Sequence, residues 1–99
     1  MIEDTFIFSA NTNDDVFGEI EKRVQWTLGI SNTILRRTGS NFKLFYKDCS
    51  KCELKITGPE DAILVQIRYD PRNLEFKKRA YEALQDLVRE KTDTQTKYV

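Results

Sequence analysis

Few residue types that carry enzyme chemistry occur in this sequence. It contains no His, and its two cysteines, Cys49 and Cys52, stand in the short run Cys-Ser-Lys-Cys. A structural zinc site needs four ligands, and a redox thiol is activated at a helix N-terminus, whereas this pair falls between two strand patterns. We therefore expect ordinary reduced cysteines at a turn, and we expect no metal and no cofactor.

Motifs for nucleophilic and phosphate chemistry are also missing. A Ser–His or Cys–His arrangement needs a His as its base, and the four isolated glycines match neither GxGxxG nor GxxxxGKS. The carboxylate pairs 14–15 and 60–61 fall at a predicted helix start and in a predicted turn, where solvated acids are usual. We predict that the domain itself is not an enzyme.

The charge is balanced in total but uneven along the chain. The sequence has 16 basic and 16 acidic residues, so the total charge calls for neither nucleic acid nor a membrane. All charged residues of segment 1–21 are nevertheless acidic, and basic residues outnumber acidic ones between Lys22 and Lys55. No apolar run reaches the roughly 18 residues of a membrane span, and no signal peptide is visible. These patterns predict an intracellular protein of the cytoplasm or nucleus with no transmembrane segment.

The apolar periodicity predicts an α+β domain with the order β-α-β-β-β-β-α. Short turns between successive strands favour an antiparallel four- to five-stranded sheet, with two helices packed on one face. We predict a single domain over residues 1–90 and a flexible C-terminal tail over residues 91–99. The predicted strands are 5–10, 31–37, 41–47, 52–56 and 63–69, and the predicted helices are 16–28 and 74–90.

Strand alternation leaves one sheet face open, with a basic strip around one aromatic residue. We expect this strip to contact a protein partner or anionic phospholipid. RNA binding by stacking on Phe45 is a further hypothesis, but nucleic acid is not favoured because one aromatic residue makes a weak platform. The basic strip consists of Lys43, Phe45, Lys47, Lys55, Gln66 and Arg68.

Two helical residues depart from the amphipathic pattern. Trp26 falls on the polar side of the first helix, flanked by Lys22 and Arg23. Either the segment after Gly29 folds back and covers the indole, or Trp26 is an exposed anchor for a partner. Lys77 interrupts the apolar stripe of the last helix, and we expect its methylenes to lie along the sheet edge with the ammonium in water.

Several segments of the sequence, in this order, resemble the kinase-associated KA1 fold, which forms the C-terminal end of many Ser/Thr protein kinases. The likeness is greatest to the regulatory domains of the checkpoint effector kinase of the DNA-damage response and of plant calcineurin-B-like-interacting kinases. The final segment is the most specific, with a basic strand end that leads into Leu74, Glu75, Phe76, Lys77 and Lys78. The other matching segments are 6–9, 20–30, 41–44 and 63–68.

The resemblance implies a non-catalytic regulatory piece of a larger kinase, with Met1 added or incidental. Such domains hold their own kinase domain inactive, bind anionic phospholipid, or dock partners. Three hypotheses therefore stay open: a kinase regulatory domain, a lipid-binding module of the same fold, and an unrelated small adaptor for RNA or protein.

Overall fold

The computed structural model describes residues 1–10, 15–28, 34–38, 41–48, 52–59 and 61–98, with the side chains of all of these except 34–38, 41, 42, 47 and 48. Within these ranges the chain forms two helices and seven strands. They are β1 (Ile2–Ala10), α1 (Val16–Leu28), β2 (Ile34–Thr38), β3 (Asn41–Asp48), β4 (Cys52–Thr57), β5 (Ile63–Tyr69), α2 (Leu74–Leu84), β6 (Val88–Lys91) and β7 (Gln95–Tyr98).

All of these strands belong to one antiparallel sheet, which confirms the α+β fold class. The strand order is β2-β3-β4-β5-β1-β6, and β7 pairs with β1 on the same side as β6. The predicted meander β2 to β5 is present, with short connections between strands. The sheet is wider than predicted because the chain after α2 returns to β1 and adds two short strands.

The core lies between the sheet and the two helices. Alternate residues of β5 are buried, as the apolar pattern predicted, and their cross-strand neighbours on β1 and β4 are buried with them because opposed residues share a face. We call this side the helix face and the other the open face. The strand residues of the core are Phe6, Phe8, Leu44, Cys52, Leu54, Ile56, Ile63, Val65, Ile67 and Tyr69, and the helices add Val16, Phe17, Ile20, Val24, Phe76, Ala80, Ala83 and Leu84.

Polar side chains define where the helices begin. The carboxylate of Asp15 accepts a hydrogen bond from the backbone N of Gly18 at 3.2 Å, which satisfies one of the open donors at the start of α1. Asn73 caps α2 by accepting from the backbone N of Phe76 at 3.4 Å. From the sequence we expect Thr12 to form a capping box with Asp15 at the start of α1 and Gly29 to form its C-cap, and both Thr12 and Gly29 lie outside the described residues.

The prediction was wrong for the chain after Leu84. Helix α2 ends there, and the backbone N of Leu87 bonds the carbonyl of Leu84 at 3.0 Å in a turn. The segment then forms β6 and β7, and both strands pair with β1. The residues predicted as a flexible tail, 91–99, therefore include a paired strand that ends at Tyr98. The reason is a long-range contact. The edge of β1 presents backbone N–H and C=O groups that another strand can pair with, and no local sequence pattern after Leu84 indicates that pairing.

Strand β1 is also longer than predicted. It begins at Ile2 rather than Thr5, and its pairing with β5 covers seven residue pairs from Ile2↔Tyr69 to Phe8↔Ile63. The acidic residues Glu3 and Asp4 are therefore inside the sheet and not in a leading segment. Among the described residues, no helix is long and apolar enough to cross a membrane.

Candidate functional site

The basic strip spans three neighbouring strands of the open face. Phe45 on β3 lies opposite Lys55 on β4, and Lys55 lies opposite Gln66 on β5, so these residues form one row across the sheet. Lys43 is exposed two residues away from Phe45 on the same strand and the same face. The structure therefore brings these members of the strip together as the alternation predicted.

A second row on the open face contains acids that the strip prediction did not include. This row crosses β4, β5, β1 and β7, and each strand contributes one residue opposite the next. In strand order the residues are Glu53, Arg68, Glu3 and Lys97. Arg68 Nε donates to Glu3 Oε2 at 2.6 Å, and Lys97 Nζ lies 3.3 Å from Glu3 Oε1. The backbone of Lys47 lies opposite Glu53, and its side chain is outside the described set. Arg68 is therefore already paired, and the strip is less basic than its sequence indicates.

Glu3 is the electrostatic centre of this second row. Its side chain is only 2% exposed, although it lies on the face without helices, because the neighbouring side chains cover it. The hydrogen bond from Arg68 is the largest cause that lowers the pKa of Glu3, and the ammonium of Lys97 acts in the same direction. A polar depression of about 290 Å³ opens beside the carboxylate, between Glu53, Lys55, Gln66 and Arg68.

The sequence contained a signal for Glu3 that the shorter predicted strand concealed. Extending the alternation of Phe6 and Phe8 backward by two more residues places Asp4 on the helix face and Glu3 on the open face. Lys97 had no comparable signal, because its strand carries no apolar alternation and depends on β1 for its pairing.

The second candidate surface is a groove between α1 and α2. It encloses about 560 Å³ and is lined by Trp26, Lys22 and Arg23 on one side, and by Glu82 and Asp86 on the other. The indole of Trp26 is 88% exposed. This value agrees with the interpretation of Trp26 as an exposed side chain, while the segment that would cover it in the other interpretation begins in residues 29–33, outside the described ranges.

Arg23, which lines this groove, forms ion pairs with two acidic residues. Its Nε donates to Glu19 at 3.0 Å, and its Nη1 donates to Asp86 at 3.2 Å, so the side chain connects α1 to the turn that follows α2. The hydrogen bond that Arg23 donates to Glu19 is the largest cause that raises the pKa of Arg23. Lys22 takes part in none of the ion pairs of the described residues, and its side chain is exposed. The cation available to a partner is therefore Lys22 rather than Arg23.

The third candidate is a buried polar cluster under α2. Asp4 is 0% exposed on the helix face, and its Oδ2 lies 2.9 Å from Lys77 Nζ and accepts from the Tyr69 hydroxyl at 3.3 Å. Lys77 Nζ also lies 5.4 Å from the centre of the Tyr69 ring and 6.0 Å from that of Tyr81. The Lys77 side chain is 35% exposed, but its ammonium is paired with the buried carboxylate of Asp4 and is not free in water as expected.

Two side chains of this cluster, Lys77 and Tyr81, have raised pKa values, for different reasons. The hydrogen bond with Asp4 is the main cause that raises the pKa of Lys77, and the Tyr69 hydroxyl adds to it. Burial raises the pKa of Tyr81, whose hydroxyl forms a hydrogen bond with Thr94 Oγ1 at 3.3 Å. The cluster is therefore a structural connection between β1, α2 and the last strands, and its cation is already neutralised.

The other residues of segment 74–78, which has the most specific resemblance to the KA1 fold, lie partly in the core and partly in solvent. Phe76 is buried and stacks on Tyr46 with ring centres 6.1 Å apart, whereas Leu74 is 60% exposed. Glu75 pairs with Arg79 at 3.2 Å on the outer side of α2, and Lys78 is exposed. The segment thus contributes one core anchor and one buried ion pair, and it forms no continuous binding surface.

Cys52 is buried in β4, and its Sγ accepts a hydrogen bond from Asn73 Nδ2 at 2.9 Å. This contact joins β4 to the start of α2. Cys49 lies outside the described residues. Within those residues no group of three or more His, Cys, Asp or Glu side chains is placed to hold a metal ion.

No protein-family model and no curated protein matches this chain.

Proposed function

We propose that this chain is a non-catalytic regulatory domain of a Ser/Thr protein kinase, and that it contacts the kinase domain or another partner through the groove between α1 and α2. The sequence resemblance to the KA1 fold supports the kinase assignment. The exposed indole of Trp26 supports the position of the contact, and it is the single observation that carries the proposal.

An exposed tryptophan on a folded domain is a strong indicator of a protein interface. Trp is the residue type most enriched among interface hot spots, because it buries a large rigid area and loses little side-chain entropy. Here the indole stands at the mouth of a groove, next to the exposed ammonium of Lys22, which forms no ion pair within the described ranges, and the acids Glu82 and Asp86 line the opposite side. A partner segment with an apolar side chain flanked by both charge signs would complement this surface.

Regulation by this contact would be a competition between bound and free states. A domain that binds the kinase lobe stabilises the inactive arrangement, and a second partner that covers the groove releases it. A hot-spot contribution of about 2 kcal/mol from Trp26 corresponds to roughly a 30-fold change in affinity. Loss of this one contact would therefore be enough to shift the kinase toward its active form.

The first experiment concerns the natural gene. The reading frame upstream of Met1 should encode a kinase catalytic region with its His-Arg-Asp and Asp-Phe-Gly segments. A free-standing gene of this length would contradict the kinase assignment, and it would leave the groove to be tested with other proteins.

The second experiment uses Trp26 as its own probe, since it is the only tryptophan of the chain. In the free domain we expect red-shifted emission that acrylamide quenches readily. Addition of the catalytic domain encoded upstream should shift the emission to the blue and reduce quenching. Trp26→Ala should weaken binding, measured by calorimetry, by about 30-fold.

Leu74→Ala is the matched control, because Leu74 is also an exposed apolar residue of a helix but does not line the groove. It should leave binding unchanged. Equal binding by the Trp26→Ala variant and the parent would remove the groove from the proposal.

The alternative function is binding of anionic phospholipid through the open face. Lys43 and Lys55 support it, because neither takes part in the ion pairs of the described residues, while the pairing of Arg68 with Glu3 reduces its support. Vesicles containing phosphatidylserine separate the two functions. Salt-sensitive sedimentation with vesicles that Lys43→Ser/Lys55→Ser abolishes would favour the lipid function.

A further inference from the structure

Strand β7 covers half of one edge of β1 without burying any side chain of its own. Its four residues are all exposed, yet they pair in register with β1 from Ile2↔Tyr98 to Thr5↔Gln95. It reaches this position from β6 through Thr92, whose backbone N donates to the Ile7 carbonyl at 2.9 Å. Backbone pairing and polar side chains, and not apolar burial, therefore hold this strand.

Two consecutive side chains of β7 satisfy two consecutive buried acids of β1. Thr96 Oγ1 donates to Asp4 Oδ1 at 2.7 Å on the helix face, and Lys97 Nζ lies 3.3 Å from Glu3 Oε1 on the open face. Both acids are almost completely buried. Asp4 and Glu3 also have the partners Lys77 and Arg68, so the edge strand completes the bonding of the two carboxylates, and an occupant with a hydroxyl and a cation in that order matches them best.

The two sides of β1 differ in how firmly they are occupied. On one side β5 pairs with it over seven residues and contributes four buried core side chains. On the other side β7 pairs over four residues and contributes none. Extended peptides commonly bind by adding a strand to a sheet edge, where main-chain hydrogen bonds provide affinity and alternate side chains provide specificity.

We propose that the β1 edge at Ile2–Thr5 is a strand-acceptor site for an extended partner peptide with Ser or Thr followed by Lys or Arg, and that β7 occupies this site as an internal competitor in the free chain. The partner strand runs antiparallel to β1, with its hydroxyl opposite Asp4 and its cation opposite Glu3. The site is separate from the groove at Trp26, and it depends on neither the kinase assignment nor the lipid alternative.

The test uses the full chain and a fluorescent peptide with the sequence of residues 92–98, Thr-Asp-Thr-Gln-Thr-Lys-Tyr. The double variant Thr96→Val/Lys97→Gln of the full chain removes the hydroxyl and the cation of β7. Both new residues are compatible with a strand. Fluorescence anisotropy should show that this variant binds the peptide at least tenfold more tightly than the parent, because the internal competitor is weakened. A peptide that carries the same two substitutions should bind neither chain.

Arg89→Gln is the matched control, since it removes one exposed positive charge from β6 and touches neither acid. It should bind the peptide as the parent does. Amide chemical-shift changes on binding should be centred on β1 and β7. Equal affinity of the parent and the double variant, or shifts centred elsewhere, would overturn the proposal.

Two further outcomes are also decisive. If the double variant fails to fold by circular dichroism, the parent is studied by hydrogen exchange with excess peptide, which should accelerate exchange of the β7 amides and leave β5 unchanged. No acceleration contradicts the proposal. If the parent instead forms dimers with exchanged β7 strands, the occupant is a second copy, and the assignment to a partner peptide is wrong.

Discussion

The two faces of the same sheet each bury one carboxylate, but they do so in different ways. On the helix face, Asp4 is held by Lys77 and Tyr69 beneath α2, within an otherwise apolar core. On the open face, Glu3 is held by Arg68 and Lys97, whose own side chains are exposed to water. Adjacent residues of one strand thus have different ionic environments.

The difference shows that the exposure of the partner, and not only of the acid, determines the cost of breaking an ion pair. Removal of the Lys77 cation leaves the carboxylate of Asp4 under the helix with only the hydroxyls of Tyr69 and Thr96 as partners. Removal of the Glu3 charge instead leaves two cations whose exposed side chains regain water and counter-ions. Substitutions should therefore be severe on the helix face and mild on the open face.

The largest effect is expected from Lys77→Met, which removes the cation of the buried pair and keeps the length of the side chain. Asp4 would keep only the hydroxyls of Tyr69 and Thr96, and because the Lys77 side chain is 35% exposed the free energy of unfolding should fall by about 3 kcal/mol, the lower end for a broken buried pair. Urea unfolding followed by circular dichroism measures this value.

Lys78→Met is the control, because it removes an exposed charge from the next position of α2, and it should change stability by less than about 0.5 kcal/mol. The double variant Asp4→Val/Lys77→Met should recover most of the loss, since an apolar pair can replace a buried ion pair. Similar stability of Lys77→Met and Lys78→Met would mean that the ion pair with Asp4 does not stabilise the helix face.

The second effect concerns the apolar part of the helix face. Leu84 is buried at the end of α2, so Leu84→Ala should cost about 2 to 5 kcal/mol through lost apolar contact and the cavity left behind. Leu74→Ala, at the exposed start of the same helix, should cost only a few tenths of a kcal/mol. Thermal unfolding of both variants provides the comparison. Equal melting temperatures would mean that α2 does not pack on the sheet.

Much of this arrangement could be predicted from local patterns. The alternation of Ile63, Val65 and Ile67, followed by the apolar period from Phe76 to Leu84, predicted a buried strand and a helix on its face, and both are confirmed. These signals are strong because burial on one face imposes a period of 2 or 3.6 on consecutive residues.

Other features could not be predicted because they depend on contacts between distant parts of the chain. Val88 fits the apolar period of α2, but it pairs with Ala10 of β1 in a separate strand. Thr96 and Lys97 show no apolar alternation, since both stay exposed while they satisfy buried acids. The ammonium of Lys77 was expected in water because Asp4 was not recognised as part of a buried strand.

The smallest effect, and the one that tests the open face most directly, is the pH dependence of Glu3. The hydrogen bond from Arg68 lowers the pKa of Glu3 in the folded chain, whereas an unfolded glutamate titrates near about 4.3. Below that pH the unfolded state binds more protons than the folded state, so stability rises with pH in this window. The contribution of Glu3 is therefore complete above about pH 4.3, and it is lost as the pH falls through the lower folded pKa.

Glu3→Gln should cost about 1 kcal/mol at neutral pH, between the values for an exposed ion pair and for a hydrogen bond to a charged group. The difference in melting temperature between this variant and the parent should shrink as the pH falls from about 5 to 3, because the parent loses the same interaction by protonation. Glu90→Gln, an exposed acid of β6, is the control, and its difference from the parent should stay small throughout. If the Glu3→Gln and parent profiles run parallel down to pH 3, the bond to Arg68 does not stabilise the fold, and the open face contributes nothing through this row.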